Sequence, residues 1–89
     1  MKSGKKFKIL YAKSVSHDIR KIPKKYLDKI KESIEELKNF PNIKDVKKLT
    51  AHPLADFRLR IGEYRILFDV DWKERVIYIL KIGHRKEIY

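Results

Sequence analysis

Cysteine is absent from the 89 residues, so neither disulfide staples nor thiolate metal sites can form. That fits a reducing, cytoplasmic setting. Glutamine is absent as well, and with lysine, glutamate and isoleucine abundant the composition resembles that of a heat-adapted protein. No stretch approaches the roughly eighteen apolar residues that a membrane span needs. The basic opening is followed by an apolar run at residues 7–12 that Lys8 interrupts and that is too short for a secretory signal. Internal repeats and low-complexity linkers are lacking, and residues 1–89 read as a single domain.

Acidic residues are outnumbered: 23 lysines and arginines face 12 aspartates and glutamates, for a formal net charge of +11. So large an excess speaks of partners rather than of fold, and phosphate backbones, anionic membranes and acidic proteins are the candidates. Hydrophobic residues make up 43% of the chain, enough for one layer of helices on one sheet. A chain this short buries only about 60% of its unfolded surface, so the core must be small.

Residues 7–12 (FKILYA) predict a first strand, rich in aromatic and branched side chains. Ser14 is placed to cap a short helix with Val15, Ile19 and Ile22 at helical spacing, which Pro23 ends while opening the next. The second helix carries Leu27, Ile30, Ile34 and Leu37 along one stripe, and Asn39 and Pro41 close it. A helical hairpin with one apolar side must lie on something. Residues 55–61, 64–71 and 75–83 supply three clear strands, and residues 45–50 a weaker one. Gly62-Glu63 reads as a two-residue hairpin turn with glycine at its first central position. The expected fold is α+β, ordered β-α-α-β-β-β, a mostly antiparallel sheet with a two-helix hairpin on one face.

Alternation along residues 55–61 sends Phe57, Leu59 and Ile61 one way and Arg58 and Arg60 the other. A two-residue turn then pairs Ile61 with Tyr64, Arg60 with Arg65, and Arg58 with Leu67. Like charges set side by side across strands are unfavourable, and such a pair invites an anion. With a second two-residue turn at Lys73-Glu74, Gly83 falls opposite Tyr64, and His84 and Arg85 emerge beside the first turn. Arg58, Arg60, Arg65, His84, Arg85 and Tyr89 then gather on one concave patch.

The plainer reading is a solvated strand face, with Asp56, Asp69 and Glu63 available to the arginines as salt-bridge partners. The lysines of the second helix read as a wet face. Asp69 and Asp71 share a strand face, but two carboxylates without further ligands do not make a metal site. His17 and His52 stand alone, and Trp72 is expected to pack over the sheet edge.

The run FRLRIGEYRILFDVD followed by VIYILKIGHRKEIY resembles the RelE branch of the RelE/ParE toxin superfamily, over the whole chain. The motifs that carry the resemblance are Gly62-x-Tyr64-Arg65 and Gly83-His84-Arg85 with Tyr89. It implies an endoribonuclease that cleaves translated messenger RNA at the ribosome and is held in check by an acidic, RelB-like antitoxin. It also implies attack of the ribose 2′-hydroxyl on the adjacent phosphate, without metal or cofactor. Arg65 and Arg85 match arginines that hold the scissile phosphate, and Tyr89 matches a terminal tyrosine that contacts the nucleotide and moves a proton. Arg58 and Arg60 occupy places often held by lysine, where they would bind RNA backbone. A guanidinium there stays protonated, which leaves His84 or Tyr89 for acid–base work. The chain also stops without the extra C-terminal helix of some relatives. A ParE-like inhibitor of DNA gyrase, a non-catalytic RNA- or ribosome-binding protein, and a degenerate toxin are the alternatives.

Overall fold

The computed structural model describes residues 6–88. In chain order it runs β1 (Lys8–Tyr11), α1 (Val15–Arg20), α2 (Lys24–Glu36), β2 (Val46–Lys48), β3 (Phe57–Ile61), β4 (Tyr64–Asp71), β5 (Val76–His84) and α3 (Arg85–Ile88). The strands form one sheet in the order β1-β5-β4-β3-β2, antiparallel throughout except where β1 runs parallel to β5. The expected α+β class is observed. The weak strand within residues 45–50 is β2, at the sheet margin. After β5 the described residues add one helical turn, α3, to the expected β-α-α-β-β-β order.

Pro23 lies between the two helices at φ −55°, ψ 139°, outside the helical region. Lacking an N–H, it interrupts the path after Ile22 at no cost in hydrogen bonding. Ser14 precedes α1 as expected but makes no side-chain cap; its backbone carbonyl accepts from the N–H groups of His17 and Asp18. From α2 the stripe Ile30 and Ile34 enters the core, and Leu37 follows in a short 3₁₀ turn, Leu37–Asn39. These meet Leu59, Ile66, Phe68, Ile77, Ile79 and Ile82 from the sheet. Each such buried side chain contributes roughly 1.5–3 kcal/mol. Trp72 packs its ring 5.6 Å from Phe7 and 5.3 Å from Phe40, over the sheet end as expected. Among the described residues no helix is long and apolar enough to cross a membrane.

The register between β3 and β4 is the one read from the sequence: Ile61 faces Tyr64, Arg60 faces Arg65, and Arg58 faces Leu67. Gly62 takes φ +56°, which a glycine adopts without strain, and Glu63 needs no left-handed backbone. Between β4 and β5 the expected register survives only near the second turn. Phe68 faces Ile79, but Leu67 faces Lys81, so Leu80 is a bulged extra residue and every later pairing moves by one. The sequence explains the bulge. Ile77 and Ile79 alternate into the core, and the next core side chain is Ile82, three positions on. Only an inserted residue keeps all three on one face. His84 therefore pairs with Tyr64, and Gly83 pairs with Arg65.

Candidate functional site

The bulge decides which groups share a face. Arg58 and Arg60 leave β3 opposite to the core residue Leu59, and Arg65 leaves β4 opposite to Ile66. All three stand on the side away from the core. The same cross-strand rows bring Lys47 of β2 beside Arg58, and Lys81 of β5 beside the fully buried Leu67. Four strands thus carry cations on one face, over an apolar floor.

Arg65 is the most constrained of them. It is 8% exposed, and its Nη1 donates to the carbonyls of Gly62 at 2.8 Å and of Tyr64 at 2.9 Å. Both acceptors belong to the hairpin tip, so the turn geometry orients the guanidinium. Carbonyls orient it without neutralising it. Among the described residues Arg65 has no carboxylate partner, and its buried Nε finds no acceptor. Arg58 is likewise without a carboxylate among the described residues, and its Nε is also buried and unpaired.

Arg60 and Arg85 are handled differently. Arg60 donates from Nη2 to Asp45 Oδ1 at 3.1 Å, and its backbone N–H donates to the carbonyl of the same aspartate. Asp45 lies at φ 65°, a left-handed conformation that aspartate tolerates better than most residues. This pair relieves the like-charge contact between Arg60 and Arg65. Arg85 opens α3 at the hairpin tip, where it forms an ion pair with Glu63, Nε lying 3.0 Å from Oε1. The longitudinal position expected for Arg85 is therefore observed.

His84 does not join the arginine face. Shifted by the bulge, its ring lies on the helix-covered side, 5.7 Å from Tyr64 and nearly perpendicular to it. Tyr64 in turn touches Tyr26 of α2 at 5.4 Å. The three rings line a largely apolar cleft of about 300 Å³ between α2 and the hairpin tip. His84 Nδ1 accepts the backbone N–H of Lys86 at 3.2 Å. The single concave patch expected from the sequence thus divides: Arg58, Arg60 and Arg65 on one face, Arg85 at the tip, His84 behind it. Tyr89 lies outside the described residues.

Of the carboxylates offered as salt-bridge partners, Glu63 pairs with Arg85. Asp69 accepts the backbone N–H of Asp56 instead, at 2.7 Å, and Asp71 accepts that of Glu74 at 2.9 Å. Sequence reasoning missed Asp45 and Lys47. Both fall in the weak strand expected over residues 45–50, and they acquire neighbours only once β2 has a register against β3.

The arrangement, a buried guanidinium aimed by main-chain carbonyls among further cations, suits a phosphate with several oxygens to satisfy. Comparison with known proteins identifies the family. The model for the ParE toxin of the type II toxin–antitoxin system parDE matches residues 9–89. The RelE1 protein of Methanocaldococcus jannaschii is 38% identical over 87 residues, covering 94% of this chain and 96% of that one. The archaeal RelE–RelB complex from Pyrococcus horikoshii contains a chain superposing with TM-score 0.75 at 31% identity, over 90% of this chain and 96% of that one. The RelBE2 toxin–antitoxin complex from Mycobacterium tuberculosis contains another, with TM-score 0.77 at 25% identity, over 90% and 99%.

Proposed function

This chain belongs to the RelE/ParE superfamily of type II toxin–antitoxin systems as a RelE-type toxin, and we propose that it is an endoribonuclease acting on translated messenger RNA at the ribosome. One observation carries the reading: Arg65, buried, held by two carbonyls of its own hairpin and free of any carboxylate among the described residues. A buried donor left without an acceptor costs about 1–3 kcal/mol, and a non-bridging phosphate oxygen would repay that cost.

In this reaction the ribose 2′-oxygen forms a bond to the adjacent phosphorus while the bond from phosphorus to the 5′-oxygen breaks. The products are a 2′,3′-cyclic phosphate and a 5′-hydroxyl. Negative charge builds on the non-bridging oxygens, where Arg65 and Arg85 meet it with forked donors. Aiming donors at developing charge is usually the largest catalytic term, about 3 kcal/mol for a single well-placed group. Arg58 and Arg60 hold the backbone on either side, which a net charge of +11 favours at longer range. Guanidinium charge does the work that a metal ion does elsewhere, so the reaction calls for no cofactor. Proton removal from the 2′-hydroxyl falls to Tyr89 on the strength of the family resemblance. His84, turned to the helix side with Nδ1 occupied, supports Tyr64. In-line alignment of the 2′-hydroxyl is the ribosome's contribution, and the setting is cytoplasmic.

The partner that restrains the toxin is an acidic antitoxin. Solved relatives from Mycobacterium tuberculosis and Pyrococcus horikoshii are complexes of toxin with antitoxin, and the uncompensated cations of this chain complement an acidic protein as well as they do RNA. Primer extension on messenger RNA in a translating extract tests the proposal. Cuts that need translation, and that vanish with Arg65→Ala, are expected. Because the matched family model bears the ParE name, gyrase–DNA adducts are assayed alongside. Intact messenger RNA with such adducts would replace the ribonuclease by a gyrase inhibitor.

A further inference from the structure

We propose that Glu63 is a positioning residue for Arg85, so that the Gly62-Glu63 turn sets both phosphate-facing guanidinium groups at once. The proposal rests on the ribonuclease reading of the site.

Seen in the sequence, Glu63 is an exposed glutamate at a hairpin tip, the kind of residue that ordinarily does nothing but dissolve. Its surroundings are more specific. Its backbone carbonyl accepts the N–H of Arg85 at 2.8 Å, and its carboxylate forms an ion pair with the same residue, Oε1 lying 3.0 Å from Nε. One residue thus fixes both where Arg85 leaves the sheet and how its side chain lies. Immediately on either side, the carbonyls of Gly62 and Tyr64 fix Arg65. Three consecutive residues therefore orient two arginines, one from strand β4 and one from the helical turn α3.

The atoms engaged matter. Glu63 approaches the guanidinium of Arg85 at Nε, which leaves the paired terminal nitrogens for a phosphate. Both partners are about half exposed, 52% for Arg85 and 59% for Glu63, and an exposed pair of this kind adds little to stability. Its effect lies elsewhere. Arg85 begins a four-residue helical turn, and an untethered arginine there would spread over many rotamers. Confining it in advance removes that entropy from the barrier. The opposite view makes Glu63 a competitor that neutralises Arg85 and must be displaced by substrate. The two views predict opposite signs.

Single-turnover cleavage of messenger RNA on programmed ribosomes decides between them, with wild type, Glu63→Ala, Glu63→Gln, Arg85→Ala and the Glu63→Ala/Arg85→Ala double variant. Glu63→Ala is expected to lower the rate constant about tenfold while leaving the half-saturating toxin concentration nearly unchanged. Glu63→Gln keeps an oxygen acceptor for Nε–H and should recover most of the rate. In the Arg85→Ala background Glu63→Ala should cost nothing further. The Arg85 Nε–H resonance, followed by NMR, should be distinct in wild type and in Glu63→Gln and merge with those of solvated arginines in Glu63→Ala. Undiminished or faster cleavage by Glu63→Ala, or full additivity with Arg85→Ala, overturns the proposal and leaves the ribonuclease standing. A wild-type protein that cuts no messenger RNA overturns both.

Discussion

Ile88 folds back over Gly83, its Cδ1 lying 3.3 Å from where a β-carbon on that glycine would stand. Gly83 pairs with Arg65 across the sheet, so the helical turn α3 reaches the arginine face through the space a side chain at Gly83 would fill. Gly83→Ala meets the flexible end of an isoleucine and is expected to change stability by less than about 1 kcal/mol, the strand preference for alanine offsetting the contact. Gly83→Val has no such escape. It should cost roughly 1–3 kcal/mol by overpacking and detach α3, lowering cleavage together with the melting temperature. Thermal unfolding of both variants beside a cleavage assay checks this, and a Gly83→Val protein as stable and as active as wild type would refute it.

Arg65 and Arg58 share a face but are expected to fail differently. Arg65→Lys keeps the charge but cannot bond two tip carbonyls and still offer a planar fork to phosphate, so cleavage should fall about a hundredfold or more. Arg58→Ala should leave the rate at saturation nearly intact and weaken binding to single-stranded RNA. Its signature is the salt dependence: the slope of log affinity against log salt should shrink by about 0.7 for the one phosphate contact removed. Affinities of both variants between low and moderate potassium chloride, set beside single-turnover rates, separate the roles.

His84 provides the sharpest test of the face assignment. With its ring on Tyr64 and Nδ1 accepting from Lys86, His84→Gln should cleave within about threefold of wild type, whereas a lost acid–base group costs on the order of 10²–10⁴. Tyr89→Phe should show the larger loss. Rates for the two variants across pH 5.5–8.5, a window centred roughly on the usual imidazole range, will tell. A hundredfold deficit in His84→Gln would return the histidine to the reacting atoms.

The misplacement of His84 follows from one residue. Period-two alternation and the Gly62-Glu63 turn were enough to place Arg58, Arg60 and Arg65 together, because a two-residue turn admits a single register. The second hairpin lacks such alternation, since Val76–Leu80 is apolar throughout, and Leu80 adds a step that no local propensity marks. Its only trace is the three-residue interval between Ile79 and Ile82, visible once those two are known to share a face. That step moved His84 to the far side. Partners such as Asp45 escaped for another reason: their contacts join residues fifteen positions apart, and the connection between β2 and β3 carries no period that fixes the register of that pair.

The bulge also leaves a debt that α1 settles. Beyond Tyr11 the edge strand β1 no longer covers β5, since its last bond runs from Ala12 N–H to the carbonyl of Ile79. The next inward N–H, that of Ile82, donates instead to Asp18 Oδ2 at 3.0 Å, and Lys81 approaches the other carboxylate oxygen at 3.5 Å. Asp18 is 8% exposed, so its removal strands a buried donor. Asp18→Ala is expected to cost about 1–3 kcal/mol. Asp18→Asn retains an acceptor but gives up the charge, and a neutral bond is roughly half as strong, so its loss should fall clearly below that of alanine. Urea unfolding measures both, with an unchanged slope required for the comparison. Equal losses would mean that the carboxylate serves Lys81 alone and that the edge of β5 is satisfied by some other route.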